Sequence, residues 1–282
     1  MNLLLPIIGQ RRRAPDVLWT PDLLGASLAL WLDANDAITV ILNGSNVSAW
    51  NDKSGNARNF LQATAGSQPL YLPTGFNSKP TIQTDGGDSL VLGVSSLGRN
   101  VSGLTAAIVG VYPVGATFLA NASDLFFVGG GPTRFVMTPN PSASTANRYG
   151  FGGRRLDTDG FATASSATNS ITNLGNPWIR IAQRAYSDGV GHHWTNGTQD
   201  LTGAVFGTQG AGNTSDTNSS IAQIFGGVAN LPANSQISEV VLTHSTMVND
   251  DRQKLEGYLA HKWGLTASLP LDHPYKTTAP TA

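Results

Sequence analysis

The chain of 282 residues contains no cysteine, 12% charged residues and 32 glycines, and its formal net charge is −1. Its hydrophobic content of 40% excludes a disordered chain, and at about 150 residues per domain the length fits one large domain or two smaller ones. The near-neutral charge excludes a basic surface for nucleic acid or an anionic membrane, and the lack of cysteine excludes disulfides, thiolate zinc sites and a cysteine nucleophile.

The first 25 residues are predicted to form an extended arm that anchors the protein. Their apolar run is short, is interrupted by Pro6 and precedes the positive charges, which is the reverse of a secretory signal peptide. An apolar terminus is ordered only when something holds it, so we expect it to dock into a partner subunit, with a first strand packed on its own domain as the alternative. The predicted anchoring residues are Leu3, Leu4, Leu5, Ile7, Ile8, Arg11, Arg12 and Arg13.

Short stretches typical of β-strands recur along the rest of the chain, separated by clusters of glycine, asparagine, aspartate, serine and proline. The predicted strands are 28–32, 47–50, 81–84, 89–92, 105–112, 124–128, 134–137, 178–186, 191–195, 222–225 and 237–243. The strands 178–186 and 191–195 are expected to pair as a hairpin. Many short strands without a strand–helix–strand rhythm predict an antiparallel β-sandwich of two sheets.

One α-helix is predicted near the C-terminus, within residues 248–265. Asn249 is its expected N-cap, Asp250 and Asp251 place negative charge on the first turn, and Gly264 ends it. The apolar residues that share one face and should pack on the sandwich are Leu255, Tyr258, Leu259 and Trp263.

The polar stretches 138–176 and 207–219 are predicted to be surface loops, because neither contains enough apolar residues to build a core. No internal repeat is evident. We therefore divide the chain into an arm (1–25), a sandwich (26–265) and a C-terminal tail (266–282).

Several segments resemble those of a known superfamily. They are LWLDAND (30–36), VSAWNDKSGNARNF (47–60), KPTIQTDGGDSLVL (79–92) and ISEVVLTHSTMVNDDRQKLEGYLAHKWGL (237–265), the last followed by LPLDHPYK (269–276). In these segments the chain resembles the LamG-like members of the concanavalin A-like lectin/glucanase superfamily. The segments follow the expected order and span most of the chain, and the strand and helix of 237–265 are the most specific.

The resemblance implies an all-β fold: a concanavalin A-like jelly-roll β-sandwich of two antiparallel sheets with one C-terminal α-helix and, in this chain, an extended N-terminal arm. Proteins of this kind are frequent among bacteriophage structural proteins and bacterial surface proteins, which implies a role in binding or assembly. The fold alone supplies no ligand, because such folds carry many functions.

Glycoside hydrolysis is not expected. Glucanases of this superfamily carry paired catalytic glutamates around an aspartate, because the reaction needs two carboxyl groups on either side of the bond. This chain has two glutamates, Glu239 and Glu256, and no E-x-D-x-E pattern. Aspartate pairs such as Asp157 and Asp159 lie in glycine-containing turns, where aspartate is common for backbone reasons. We therefore predict that the protein is not an enzyme.

No cofactor is predicted, with structural Ca²⁺ as the one alternative. Oxygen-bearing residues at alternate positions, Asp52, Ser54 and Asn56, suit Ca²⁺ in principle. The complete calcium-binding loop pattern is absent, however, and D-K-S-G-N is also an ordinary Asx-type turn, which we favour. Asp85 and Asp88 form a second weak calcium candidate of the same standing.

A recognition surface is predicted in the polar segment ANRYGFGGRR, whose aromatic rings have little core nearby. The alternative is that this segment packs on a neighbouring copy of the chain. Trp178 and Trp194 could stack on a glycan if exposed, although burial is the expected state of both. The predicted ligand-binding residues are Arg148, Tyr149, Phe151, Arg154, Arg155 and Trp194.

These observations predict a non-enzymatic virion structural protein of a tailed phage, either a capsid decoration or a head or tail fibre or spike module. Its arm would bind a capsid or tail component, the chain would form a homo-oligomer or occur in multiple copies in the assembly, and the sandwich would be displayed with a host-surface glycan as a candidate ligand. The alternative is a soluble or cell-surface carbohydrate-binding lectin, located outside the cell. A weaker alternative is a glycan hydrolase with an aspartate-based site.

Overall fold

The computed structural model describes residues 17–119, 124–128, 133–139, 148–166, 171–206, 209–226 and 230–282. Their strands are β1 (Leu28–Asp33), β2 (Val40–Asn43), β3 (Asn46–Trp50), β4 (Phe60–Leu61), β5 (Leu70–Leu72), β6 (Thr81–Gln83), β7 (Leu90–Leu92), β8 (Gly103–Val111), β9 (Leu125–Val128), β10 (Thr133–Thr138), β11 (Gly150–Gly153), β12 (Ala162–Ser165), β13 (Trp178–Ala185), β14 (Val190–Thr195), β15 (Thr198–Val205), β16 (Ile221–Ile224) and β17 (Gln236–Thr243). The helices are α1 (Asn249–Trp263) and the 3₁₀ segments Pro21–Ser27, Ala65–Ser67, Phe76–Ser78 and Thr266–Ser268. Among the described residues, no helix has the length and apolar character that crossing a membrane requires.

The strands form two layers, and every pairing among the described strands is antiparallel. Sheet A has the order β1–β17–β8–β13–β14–β15. Sheet B has the order β12–β11–β10–β9–β16–β7–β4–β3–β2. Strands β5 and β6 join them, because β5 pairs with β3 and β6 pairs with β17. The predicted β-sandwich with one C-terminal helix is confirmed.

Sheet A is covered on both faces. Its inner face packs against sheet B in a cluster that includes Trp50 and Trp178, and its outer face packs against α1 through residues such as Leu255 and Trp263. Strand β8, GLTAAIVGV, is accordingly buried along its whole length and lacks an alternation of apolar and polar residues.

Each predicted strand coincides with a strand of the structure to within two residues, and the predicted hairpin is β13 with β14. The prediction that 138–176 is only surface loop is wrong, because this stretch contains β11 and β12. A Cβ atom on Gly152 would lie 2.5 Å from the Ala162 carbonyl oxygen, and one on Gly153 would lie 1.9 Å from that of Arg134. These strands approach backbone to backbone, so they form without the apolar pattern by which strands are recognised.

Helix α1 begins and ends close to the predicted residues. Asp250 and Asp251 occupy its first turn, and Gly264 ends it in the left-handed conformation with a φ of 71°. The prediction of Asn249 as N-cap is wrong. Val248 holds the extended N-cap position without a side-chain hydrogen bond, and Asn249 is the first helical residue.

The described part of the predicted arm, 17–25, lies beside the C-terminal tail. The backbone N–H of Trp19 donates to the carbonyl oxygen of Pro280 at 2.9 Å, and the Trp19 ring meets the Tyr258 ring edge-on at 6.0 Å between centroids. Trp19 is buried, so both segments pack on the sandwich close to α1. The predicted anchoring residues, Leu3 to Arg13, lie outside the described residues.

Candidate functional site

The two aromatic residues of the predicted recognition surface lie inside the sandwich. Tyr149 and Phe151 are 1% and 0% exposed. The Tyr149 hydroxyl donates to Asn173 Oδ1 at 2.9 Å, and the Arg180 guanidinium lies 4.1 Å from the ring centre of Tyr149. Burial raises the pKa of Tyr149. The expectation that both rings are exposed for a ligand is wrong, because β11 carries this segment into the core.

The arginines of the same segment hold neighbouring loops. Arg154 and Arg155 donate to backbone carbonyl oxygens of the adjacent loops at 2.7 and 2.6 Å, and Arg148 donates to a serine hydroxyl of β12 at 3.4 Å. A ligand-binding role for these three arginines stays a prediction. Trp194 is 8% exposed, with the Arg252 guanidinium 4.5 Å from its ring centre, which is the buried state expected for it.

The first calcium candidate is an Asx-type turn, the interpretation favoured above. Asp52 accepts hydrogen bonds from the backbone N–H groups of Trp31, Ser54 and Arg58 at 2.9–3.1 Å. Asn56 directs its amide N–H group at a backbone carbonyl oxygen at 3.0 Å. The Asp52 carboxylate is therefore used by the protein's own donors.

The other aspartate pairs also take part in turns and ion pairs. Asp88 Oδ2 accepts the backbone N–H of Asp85 at 2.8 Å, and Asp85 Oδ1 accepts that of Gly87 at 2.7 Å. Asp157 pairs with a buried arginine at 2.7 Å, and Asp159 accepts a backbone N–H at the same distance. Within the described ranges no three histidine, aspartate or glutamate residues are grouped so as to hold a metal ion.

The carboxylate of Glu239 ties helix α1 to sheet A. It accepts hydrogen bonds from Trp31 Nε1 at 2.7 Å and the Tyr258 hydroxyl at 3.0 Å, and it pairs with Lys262 Nζ at 2.8 Å. Trp263 Nε1 donates to it as well. Burial raises the pKa of Glu239, while the positive charge of Lys262 opposes that effect. The side chain is 0% exposed, so we call these contacts the Glu239 cluster and treat them as structural.

Other buried charges are paired in the same manner. Glu256 in α1 pairs with Arg252 and lies 3.1 Å from His273 Nε2. Inside the sandwich, Arg180 pairs with Asp124, and neither side chain is exposed. Both glutamates of the chain thus serve the packing of α1.

A polar groove of about 340 Å³ lies where β5 and β6 join the two sheets. Residues of β3, β5 and β6, the 3₁₀ segment Ala65–Ser67 and the loops that follow β6 and precede β17 line it. Four of its six polar side chains are uncharged amides, and the others are aspartates. We call it the amide groove, and its polar side chains are Asn46, Gln68, Gln83, Asp85, Asp88 and Asn234.

A directed chain of hydrogen bonds ends in the amide groove. Thr81 Oγ1 donates to Gln236 Oε1 at 2.9 Å, Gln236 Nε2 donates to Gln83 Oε1 at 3.3 Å, and Gln83 Nε2 donates to Asn234 Oδ1 at 3.2 Å. Gln236 and Gln83 each accept with the amide oxygen and donate with the amide nitrogen, and Asn234 accepts the last bond. No described residue accepts a hydrogen bond from Asn234 Nδ2, and the side chain is exposed. The chain therefore presents N–H donors at the groove.

The backbone on either side of the groove is fixed. Asn234 N donates to the carbonyl oxygen of Thr84 at 2.7 Å, and Thr84 N donates to that of Ser235 at 3.0 Å. Asn234 has a φ of 67°, a left-handed conformation that asparagine tolerates better than most residues. Asp85, also exposed, follows directly on Thr84. A donor group and a carboxylate acceptor are thus held on adjoining, mutually hydrogen-bonded loops.

Sequence reasoning missed most of this groove. It singled out Asp85 and Asp88, for calcium, but not Gln83 or Asn234. Single amides in loops and at strand ends have no distinctive pattern, and the contact between Gln83 and Asn234 spans 151 positions of sequence. Only the pairing of β6 with β17 brings them together.

No family model matches the chain, and no curated protein matches it in sequence. Among solved structures it is similar to domain 4 of AbnA, a GH43 extracellular arabinanase from Geobacillus stearothermophilus, in complex with arabinotriose. That likeness has a TM-score of 0.53 and 12% identity, and it covers 79% of this chain and 94% of that one.

Two botulinum neurotoxin structures are also similar. The binding domain of botulinum neurotoxin DC in complex with rat synaptotagmin II has a TM-score of 0.55 at 12% identity, over 83% of this chain and 52% of that one. Botulinum neurotoxin type C, whose cell entry depends on interaction with two ganglioside molecules, has a TM-score of 0.57 at 12% identity, over 85% and 53%. This chain spans about half the length of the two toxin chains. At these identities the likenesses show the shared β-sandwich fold.

Proposed function

We propose that this chain is a non-enzymatic carbohydrate-binding β-sandwich domain and that the amide groove binds the sugar. The observation that carries the proposal is the exposed Asn234 amide at the end of a hydrogen-bond chain, on a loop joined to the one that bears Asp85. A sugar hydroxyl both donates and accepts hydrogen bonds, so an N–H donor beside a carboxylate acceptor matches it on both counts. The surrounding amides extend the same chemistry along the groove.

The similar structures support this proposal in a general way. The arabinanase domain is in complex with arabinotriose, and cell entry of the type C neurotoxin depends on gangliosides. Two proteins with this fold therefore interact with carbohydrate-containing molecules. Membership of the LamG-like branch stays a prediction, since it rests on the resemblance of sequence segments.

The roles of the glutamates support binding without hydrolysis. Both Glu239 and Glu256 are completely buried, and their carboxylates are used by tryptophan, tyrosine, lysine, arginine and histidine side chains of the same chain. Hydrolysis needs two carboxyl groups that reach the glycosidic bond. A lectin-like role therefore fits these residues better than a glycanase.

The test is binding of the purified protein to a glycan array, followed by calorimetric titration of the oligosaccharides that bind. Asn234→Gly removes the amide and keeps the backbone conformation unstrained, and we expect it to weaken binding about tenfold. Asn176→Ala, an exposed change outside the groove, is the matched control and should leave the affinity unchanged. Absence of binding to any glycan at about 10 mM would overturn the proposal, as would an unchanged affinity in Asn234→Gly.

Display on a virion, with residues 1–25 as an anchor to a capsid or tail component, stays a separate prediction from the sequence. Its test is to mix the full chain and a form lacking residues 1–16 with virions stripped of this protein. Binding of the full chain alone would support the anchor, whereas equal binding or none would contradict it.

A further inference from the structure

Resting on the proposed carbohydrate function, we infer that the ligand is a linear, uncharged oligosaccharide that occupies the amide groove together with a second depression beside it. The second depression has a volume of about 470 Å³. We call it the outer depression, and it is lined by Asn43, Ser48, Leu61, Gln62, Ala63 and Gln68. Gln68 lines both depressions, which makes them neighbours on one surface.

The shared residue is held rigidly. Gln68 is 6% exposed, its Nε2 donates to the carbonyl oxygen of Gln62 at 2.7 Å, and its Oε1 accepts from Asn43 Nδ2 at 3.1 Å. Because both ends of the Gln68 amide are engaged, its side chain forms a fixed boundary that both depressions share. A preformed site loses less conformational entropy on binding than a flexible one.

The size and chemistry of the two depressions favour an oligosaccharide over a monosaccharide. Small-molecule sites typically measure about 300–1,000 Å³, and each depression alone reaches that range. The outer depression adds the amide oxygen of Asn43 as a hydrogen-bonding group, while its nitrogen holds Gln68, and it adds the Leu61 side chain, which is 55% exposed, as an apolar surface. The carbon-bound hydrogens of a sugar ring pack on such a surface while its hydroxyls reach the amides.

The charges of the two depressions favour an uncharged ligand. None of the described residues that line either one carries a positive charge, and the two charged side chains are Asp85 and Asp88. The carboxylate of an acidic sugar would be repelled by these aspartates without a compensating cation. Hydrogen bonds between sugar hydroxyls and the uncharged asparagine amides of the two depressions involve no net charge, so binding of a neutral glycan should not depend on salt.

The experiment compares ligands of different length and charge on the full chain. Calorimetric titration would use neutral linear oligosaccharides of increasing length that bind on the array, and tetragalacturonic acid beside its methyl ester as a pair that differs in charge and by one methyl group on each sugar. We expect affinity to rise from monosaccharide to oligosaccharide and the bound set on the array to be neutral. Binding of the methyl ester, where it occurs, should exceed that of the acid about tenfold.

Two variants test whether the ligand spans both depressions. Asn43→Ala in the outer depression should weaken oligosaccharide binding about fivefold and Asn234→Gly in the amide groove about tenfold, and one of them should leave monosaccharide binding unchanged. Asp85→Asn should reduce the preference for neutral over acidic ligands about threefold. Asn176→Ala is the control that should change none of these affinities.

The outcomes separate this inference from the function on which it rests. If the protein binds acidic glycans as tightly as neutral ones, if monosaccharides bind as tightly as oligosaccharides, or if Asn43→Ala has no effect, the extended neutral site is overturned while the carbohydrate function stands. If no glycan binds the folded protein, the proposed function itself fails.

Discussion

The Glu239 cluster and the amide groove both lie beside β17, but they satisfy their polar groups in different ways. In the cluster, one buried carboxylate accepts hydrogen bonds from two tryptophans and a tyrosine and pairs with Lys262, which also pairs with Asp33. In the groove, the polar groups are mostly neutral amides, and the last donor of their chain is exposed.

This difference separates the structural cluster from the proposed binding site. A buried charge that lacks a partner is costly, so the cluster is fully paired and has no capacity left for a ligand. A surface amide exchanges water for a ligand hydroxyl at little cost, so the exposed amides of the groove remain available to a ligand. The glutamates and aromatic residues stand out in the sequence. Most of them are buried side chains that stabilise the fold and have no polar group left for a ligand.

The largest effect is expected from Glu239→Gln. Lys262 keeps its ion pair with Asp33 at 2.8 Å, but the amide loses one of two negative charges beside it and turns an N–H group toward the donors of Trp31 and Trp263, so we expect the free energy of unfolding to fall by about 4 kcal/mol. Urea denaturation measures this. Asp250→Asn, an exposed carboxylate paired within α1, is the control and should change stability by less than about 0.5 kcal/mol. A loss below about 1 kcal/mol for Glu239→Gln would contradict the structural role of the cluster.

The contact between β10 and β11 is the next most sensitive feature. Gly153→Ala places a Cβ atom 1.9 Å from the carbonyl oxygen of Arg134 at a φ of 143°, so we expect a loss of about 3 kcal/mol. Gly160→Ala, which has open space around it, is the matched control. Thermal denaturation of both variants checks the prediction, and equal melting temperatures would show that the strands do not approach this closely.

His244 makes part of the packed region sensitive to acid. Burial, with a smaller effect of the Arg58 charge, lowers its pKa from 6.5 to about 4, and its Nε2 has no hydrogen-bond partner among the described residues. Because the unfolded chain takes up this proton at higher pH than the folded one, stability falls as the pH drops from 6.5 to about 4. We expect this loss to be about 2 kcal/mol and to be absent in His244→Asn. Identical pH profiles of unfolding free energy for the two proteins would refute it.

Substitutions in the amide groove should change the stability of the protein least. Asn234→Gly and Asp85→Asn change exposed side chains, and we expect the free energy of unfolding to move by less than about 0.5 kcal/mol while glycan binding changes as described. Chemical denaturation beside titration of the same samples gives both quantities. A loss of more than about 1 kcal/mol would mean that the amide chain holds the loops together, as the Glu239 cluster holds α1.

Most of the fold could be predicted because its signals are local. Alternation and apolar runs mark strands such as β8, β13 and β17, and an aspartate-rich first turn and Gly264 mark α1. The strands that were missed, β2, β4, β5, β11, β12 and β15, are short, polar or rich in small residues. Strands β2 and β15 pair with the adjacent strands β3 and β14 across turns that contain Asn43-Gly44 and Asn196-Gly197, a local hairpin signal that alternation alone does not reveal. The other four are two to four residues long, and no local pattern indicates them.

Little of the candidate site could be predicted, because burial and contact depend on distant residues. Tyr149 and Phe151 occur in a polar segment, yet the approach of β11 to its neighbours places them in the core. Gln83 and Asn234 look unremarkable in sequence, yet the pairing of β6 with β17 joins them at a surface groove.

The sequence alone was enough to predict the class of fold and the C-terminal helix, since periodicity and turn residues are properties of neighbouring positions. The scarcity of glutamate follows from composition. Tertiary structure decided which polar groups are consumed inside and which remain available. The bond from Trp31 to Glu239 joins residues 208 positions apart, and the one from Gln83 to Asn234 spans 151. A side chain's burial and partners arise only when such distant segments meet, and they determine whether it stabilises the protein or binds a ligand.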